Sequence, residues 1–92
     1  MHSSIHMMRK SIHTRDYAVF LDLLVETRRQ SGMTQAQLGD KLPFGQPGIS
    51  KIERGERRVD IVELRMICAQ LGVSFEKFIR TFEERLAGKT HV

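Results

Sequence analysis

A chain of 92 residues with a net charge of +4 and a single cysteine can form one domain with one small core. It contains no apolar run near the roughly 18–20 residues of a membrane helix and no secretion signal, so we expect a cytoplasmic protein. The lone Cys68 excludes an internal disulfide and a cysteine-rich zinc site, and its place on a helical pattern indicates a core residue.

The positive charge is concentrated in two segments. Residues 1–15 carry a net charge of +3, and residues 43–58 carry +2. Such basic clusters suit a polyanionic partner. No nucleophile lies beside a base, so we do not expect an enzyme, and no cofactor is implied. No metal site is expected either, because the histidines sit near the ends without acidic or cysteine partners: His2, His6, His13 and His91.

Apolar residues recur every three or four positions, which predicts helices throughout. Thr14 is a predicted N-cap for the first helix, with Asp16 in its first turn, and Gly32 ends it. Its apolar stripe consists of Tyr17, Phe20, Leu21, Leu24 and Val25. Thr34 and Gln37 form a capping box for the second helix, which buries Leu38 and Leu42 and ends at Pro43.

The third predicted helix begins in the segment FGQPG, Phe44–Gly48, which is unusually rich in glycine and proline. Gly45 is the predicted cap, and a proline at position 47 costs little because the first-turn amide that it lacks would be unpaired anyway. Gly45 and Gly48 leave this end nearly bare, so another surface can approach the free N–H groups, which attract phosphate oxygens. Gln46 adds an amide that suits an adenine edge.

Ile49 and Ile52 face inward in this helix, and Gly55 ends it. The fourth helix opens with a capping box of Asp60 and Glu63 and ends at Gly72. Its predicted inward stripe is Ile61, Leu64, Ile67, Cys68 and Leu71.

Ser74 caps the fifth helix, whose apolar side comprises Phe75, Phe78, Ile79, Phe82 and Leu86. This stripe has two interpretations. It packs on Tyr17 and Phe20 of the first helix, or it joins two copies of the chain.

The segments TQAQLGDKL, ISKIERGER and AQLGVS resemble, in order and spacing, those of the phage repressor/Cro-like (Xre) family of helix-turn-helix regulators. The resemblance covers about residues 17–80. It implies an all-α, compact five-helix, lambda-repressor-like domain over residues 14–87, with the helix-turn-helix at helices two and three. Gly39 would let these helices cross closely. Residues 1–13 would form a flexible basic arm that could reach a minor groove, and residues 88–92 a flexible tail.

The resemblance also implies roles for individual residues. Gln35 would touch phosphate and brace the third helix, and Gln46 would be the leading base-contacting residue. Arg28 and Glu53 would form a buried salt bridge. The full expected DNA-binding set is Gln35, Gln46, Pro47, Gly48, Ser50, Lys51, Arg54, Arg57 and Arg58.

Two residues depart from the family pattern. Pro43 stands where a glycine with positive φ is preferred, so Gly45 is expected to supply the unusual backbone angle. Pro47 replaces a polar base-reading side chain and can offer only van der Waals contact.

The expected function is therefore that of a sequence-specific double-stranded DNA-binding transcription regulator, with repression favoured and a homodimer formed at least on DNA. The alternative is a protein-interaction module such as an antitoxin or adaptor, with a toxin or another protein as its partner.

Overall fold

A computed structural model describes residues 14–88. Within this range the chain forms five α-helices and no strand: α1 Arg15–Gln30, α2 Gln35–Gly39, α3 Gly45–Glu53, α4 Ile61–Leu71 and α5 Phe75–Leu86. The all-α, five-helix architecture expected from the sequence is confirmed. The basic arm and residues 89–92 of the tail lie outside the described residues, as do all four histidines.

Four of the five helices begin at a side-chain cap, as their sequences predict. Thr14, Thr34, Asp60 and Ser74 each accept a hydrogen bond from the backbone N–H three residues on. At α2 and α4 the third helical residue returns a bond to the cap backbone, so both capping boxes form. These bonds satisfy backbone donors that a helix start would otherwise leave unpaired.

One continuous core joins the helices. Ile52 and Ile67 have no exposed surface, and Cys68 is 1% exposed, which confirms it as a core residue. The α1 residues of this core alternate with polar positions at helical spacing, so one face of α1 supports the other helices. The buried apolar residues are Phe20, Leu23, Leu24, Leu38, Leu42, Ile49, Ile52, Leu64, Ile67, Cys68, Leu71 and Phe78.

Helix α5 packs against α1 through aromatic side chains. The rings of Phe78 and Phe82 meet the ring of Phe20 edge-on, with centroids 6.1 and 6.0 Å apart. Arg85 adds an ion pair to Glu26 at 2.9 Å, which lowers the pKa of that carboxyl. The apolar stripe of α5 is therefore used largely within the domain.

Two sequence predictions are wrong in detail. Helix α2 ends at Gly39, and Leu42 is buried from the following turn, where Lys41 and Leu42 donate to carbonyls three residues back. Pro43 disfavours helical backbone at Leu42, which explains the early end. Ile61 was expected to face inward, yet it is 67% exposed because it occupies the first turn of α4, beyond the edge of the core.

Helices α2 and α3 cross closely at Gly39. A Cβ atom at this position would lie 2.2 Å from the backbone nitrogen of Gln46, which no real side chain tolerates. A residue with no side chain is therefore required where α2 meets the start of α3. None of the helices in residues 14–88 is long and apolar enough to cross a membrane.

Candidate nucleic-acid interface

Helix α3 has an inner and an outer face. Ile49 and Ile52 are buried and anchor the helix to the core. Positions one, two, five, six and nine of the helix share the opposite side at 100° per residue, and all are polar except one proline. These outer residues are Gln46, Pro47, Ser50, Lys51 and Arg54, of which only Ser50 is half-buried.

The start of α3 differs from the other helix starts in the described chain. Its N-cap is Phe44, whose side chain makes no capping hydrogen bond. Gly45 follows with φ +65°, which confirms it as the residue that supplies the unusual backbone angle. Pro47 carries no N–H. The first turn of α3 is thus narrow and lacks a side-chain cap.

Gly48 does not face outward, contrary to the sequence prediction. It is buried, and a Cβ at this position would lie 2.8 Å from Cβ of Phe44. The reason is helical phase: Gly48 lies on the side of Ile49 and Ile52, where the ring of Phe44 covers it. The glycine therefore permits close packing within the protein and is not available to a groove.

A chain of hydrogen bonds connects the outer tip of α3 to the interior. The Gln46 amide donates to Oε1 of Gln35 at 3.2 Å, and the Gln35 amide donates to Oε1 of Glu53 at 2.8 Å. Gln35 occupies the first position of α2, so it can bridge the two helices. Gln46 is itself exposed, and Gln35 is half-buried. The tip side chain is thus held from behind while remaining accessible.

Glu53 also forms a two-pronged ion pair with Arg28 of α1. Nε of Arg28 lies 2.7 Å from Oε2, and Nη2 lies 3.0 Å from Oε1. The two side chains are only 9% and 7% exposed. Arg28 makes a further bond to the carbonyl of Met33 at 2.8 Å, so the buried charges are paired and hydrogen-bonded. The pair expected from the sequence is therefore in contact.

Beyond α3 the basic residues are already engaged with acids. Arg54 pairs with Glu56 at 3.0 Å and also bonds Oγ of Ser50. The hydrogen bond from Arg54 holds the pKa of the Glu56 carboxyl below its ordinary value. Lys51 is exposed on the same side of the helix and lowers this pKa further through its charge.

Arg57 is more deeply engaged than a residue reserved for phosphate would be. Its guanidinium donates to both carboxyl oxygens of Glu63, at 3.2 and 3.0 Å, and to the carbonyl of Arg58. The hydrogen bond with Glu63 raises the pKa of Arg57, and the same contact lowers that of the Glu63 carboxyl. Only 33% of the Arg57 side chain is exposed, whereas Arg58 is exposed.

Phe44 is a residue of the site that the sequence did not single out. Its ring covers Gly48, and the Arg57 guanidinium carbon lies 5.0 Å from the ring centroid in a cation–π contact. Phe44 therefore links the start of α3 to the loop that follows it. An aromatic residue between Pro43 and Gly45, just ahead of a helix, was the available signal.

A short helix, a tight turn and a second helix with a polar outer face, crossing at a glycine, define a helix-turn-helix domain. A helix-turn-helix family model matches residues 24–78. The chain belongs to this family and is of the Xre-like type that its sequence segments resemble.

An uncharacterised HTH-type transcriptional regulator of Sinorhizobium fredii, y4dJ, is 32% identical over 57 residues. The aligned segment covers 62% of this chain and 74% of the relative. The family and this relative support a DNA-binding regulatory role and a non-enzymatic one.

Proposed function

We propose that this protein is a sequence-specific, double-stranded DNA-binding transcription regulator that acts as a repressor by occupying promoter DNA. In this proposal α3 enters the major groove, with Gln46 reading a base edge. The observation that carries it is the outward side of α3, where a polar tip stands clear of the core and is braced by Gln35. A major groove is wide enough to admit such a helix.

Each outer residue has a chemical role in the proposal. Gln46 can donate and accept together, which matches an adenine edge, while Pro47 offers only van der Waals contact. Lys51 supplies a positive charge to a phosphate or guanine. Gln35 is near enough to the tip to share a phosphate contact with it. Ser50 and Arg54 form the rest of this surface, with the exposed Arg58 at its edge.

Arg57 takes a modified role. Because its guanidinium is held by Glu63 and stacked on Phe44, we propose that it shapes the loop and directs Arg58 toward the backbone. Gly48 is excluded from the DNA-contacting set because it is covered by Phe44.

Affinity for random duplex and for a duplex selected from a random library, measured across salt, tests the proposal. If 6–10 phosphates are contacted, we expect affinity to fall by about 10³–10⁵ between 50 and 200 mM salt. Gln46→Ala should narrow the difference between selected and random DNA by roughly 1–3 kcal/mol. Lys51→Ala should weaken both and reduce the salt slope by about one unit.

Lys77→Ala is the matched control for Lys51→Ala, because it removes the same charge from an exposed position on α5. It should leave both duplexes bound as before. Equal losses in the two lysine variants would mean that only net charge matters. A selected duplex that Gln46→Ala still prefers as strongly would refute the role of Gln46.

An interaction module remains a second candidate because of one observation. Ile61 and Val62 are 67% and 65% exposed, which is unusual for large apolar side chains. Binding to DNA that is weak and insensitive to salt would favour this candidate over the regulator.

A further inference from the structure

The first turn of α4 carries an apolar projection that DNA contact does not explain. Ile61 and Val62 are adjacent, and no other large hydrophobic side chain in residues 14–88 is classed as exposed. Both stand at the start of the helix, where neither contributes to the core. Adjacent exposed apolar residues of this kind mark a contact surface more often than chance placement.

An apolar groove of about 350 Å³ adjoins this projection. It runs between α1, the start of α4 and α5, and Ile61 forms part of its wall. Aromatic and aliphatic side chains make up most of the remaining wall: Tyr17, Phe20, Val59, Leu64, Ile79 and Phe82. A projection and a recess of the same apolar character therefore lie side by side on one surface.

A polar atom inside this groove lacks a partner. The hydroxyl oxygen of Tyr17 is buried and makes no hydrogen bond with any residue in the described range. Leaving a buried hydroxyl unpaired is unfavourable, so such groups are normally satisfied. This is an observation independent of the apolar surface, and it points to a missing polar group at the same place.

The rim of the groove carries both signs of charge. Asp16 and Asp60 line it, and Arg15 forms an exposed ion pair with Asp16 at 3.5 Å. A surface with both signs suits a copy of itself better than it suits a partner of one charge, because opposite charges can meet across a two-fold axis.

We propose that this surface binds a second copy of the chain. In a two-fold dimer the same patch serves both partners, so a patch that contains both a projection and a recess fits itself. Ile61 and Val62 of each copy would enter the groove of the other, and a group from the second copy would bond the Tyr17 hydroxyl. The contact thus lies at the start of α4, away from the outer side of α3, and differs from self-association through the α5 stripe.

Sedimentation of the full chain without DNA, from nanomolar to high micromolar concentration, tests this surface. We expect a dimer that Val62→Glu weakens on the order of 30-fold or more, because a carboxylate would enter an apolar contact. The substitution should not impair folding, since Val62 is exposed and an acid is favourable in the first turn of a helix. Ala36→Glu is the matched control: Ala36 is exposed, stands at the same second position of α2, and should leave the dimer intact.

Tyr17→Phe tests the groove itself. It should weaken the dimer several-fold while the melting temperature of the dilute monomer stays the same or rises. A dimer equally strong in Val62→Glu and Tyr17→Phe would overturn the proposal. So would a wild-type chain that stays monomeric, and a fall in its melting temperature on removal of residues 1–13 would assign the groove to the chain's own arm. Because no DNA is present, these results do not depend on the regulator proposal.

Discussion

Gly39 and Gln46 approach each other so closely that the hydrogen of the glycine faces the backbone nitrogen of the glutamine. A Cβ at Gly39 would lie 2.2 Å from that nitrogen and 2.5 Å from Cα of Gln46. Both atoms belong to the backbone, so no side-chain rotation can relieve the overlap. The position of the α3 tip therefore depends on the absence of a side chain in α2.

We expect Gly39→Ala to destabilise the fold by on the order of 3 kcal/mol, since α2 and α3 must move apart. Urea unfolding measures this loss. Gly32→Ala is the comparison, because Gly32 has φ +77° and nothing within 4 Å of an added Cβ. It should cost only the backbone strain, roughly 1–2 kcal/mol. A smaller loss in Gly39→Ala than in Gly32→Ala would contradict the tight crossing.

Glu53→Ala should lower the free energy of unfolding by about 3–5 kcal/mol, because it leaves the Arg28 charge buried without its partner. Chemical denaturation checks this, with Glu56→Ala as the control in the exposed pair with Arg54, where little change is expected. The double variant Arg28→Leu/Glu53→Leu should regain much of the loss, because it removes both charges together. An unchanged unfolding midpoint in Glu53→Ala would rule out a structural role for the pair.

The pair of Arg57 and Glu63 should appear in the pH dependence of stability. The contact lowers the pKa of Glu63 in the folded state, so its contribution is present above the ordinary glutamate value of about 4.3 and is lost as pH falls through the folded value. Glu63→Gln keeps a capping-box residue but removes the charge. We expect its stability to fall less steeply in acid than that of the wild type.

Thermal unfolding between pH 3 and pH 7 measures this difference. Arg57→Gln removes the cause of the pKa shift while leaving the carboxyl in place, so its acid limb should flatten in the same way. Parallel acid limbs for the wild type and both variants would show that the contact does not persist in solution.

Cys68 should be inert in the folded protein. Burial raises the pKa of its thiol to about 11, and only 1% of the residue is exposed, so almost no accessible thiolate exists near neutral pH. A chromogenic disulfide reagent at pH 8 should react with one thiol per chain in denaturant and very slowly without it. Rapid reaction of the native chain would indicate an opening of α4 that the packed core does not predict.

Helix starts and the buried pair were accessible from sequence because each depends on residue types at short or recognisable spacings. Thr34 with Gln37 and Asp60 with Glu63 are local signals, and the structure forms both boxes. Positive φ at Gly45 could likewise be anticipated, because Pro43 cannot adopt it.

The errors occur where tertiary contacts decide. Gly48 was taken as bare because glycine has no side chain, yet the ring of Phe44 covers it. Ile61 has the spacing of a core residue, but the core ends before the first turn of α4. The engagement of Arg57 by Glu63 depends on how the loop after α3 folds back toward α4, which periodicity does not reveal.

The hydrogen bonds from Gln46 through Gln35 to Glu53 have a consequence for how such a regulator can diverge. Replacing the tip glutamine also removes a bond to its neighbour, so a new base preference at that site should require a compensating replacement at position 35. Pro47 has no polar side-chain atom to lose. Among relatives that recognise different operators, we expect position 47 to vary freely and positions 35 and 46 to change as a pair.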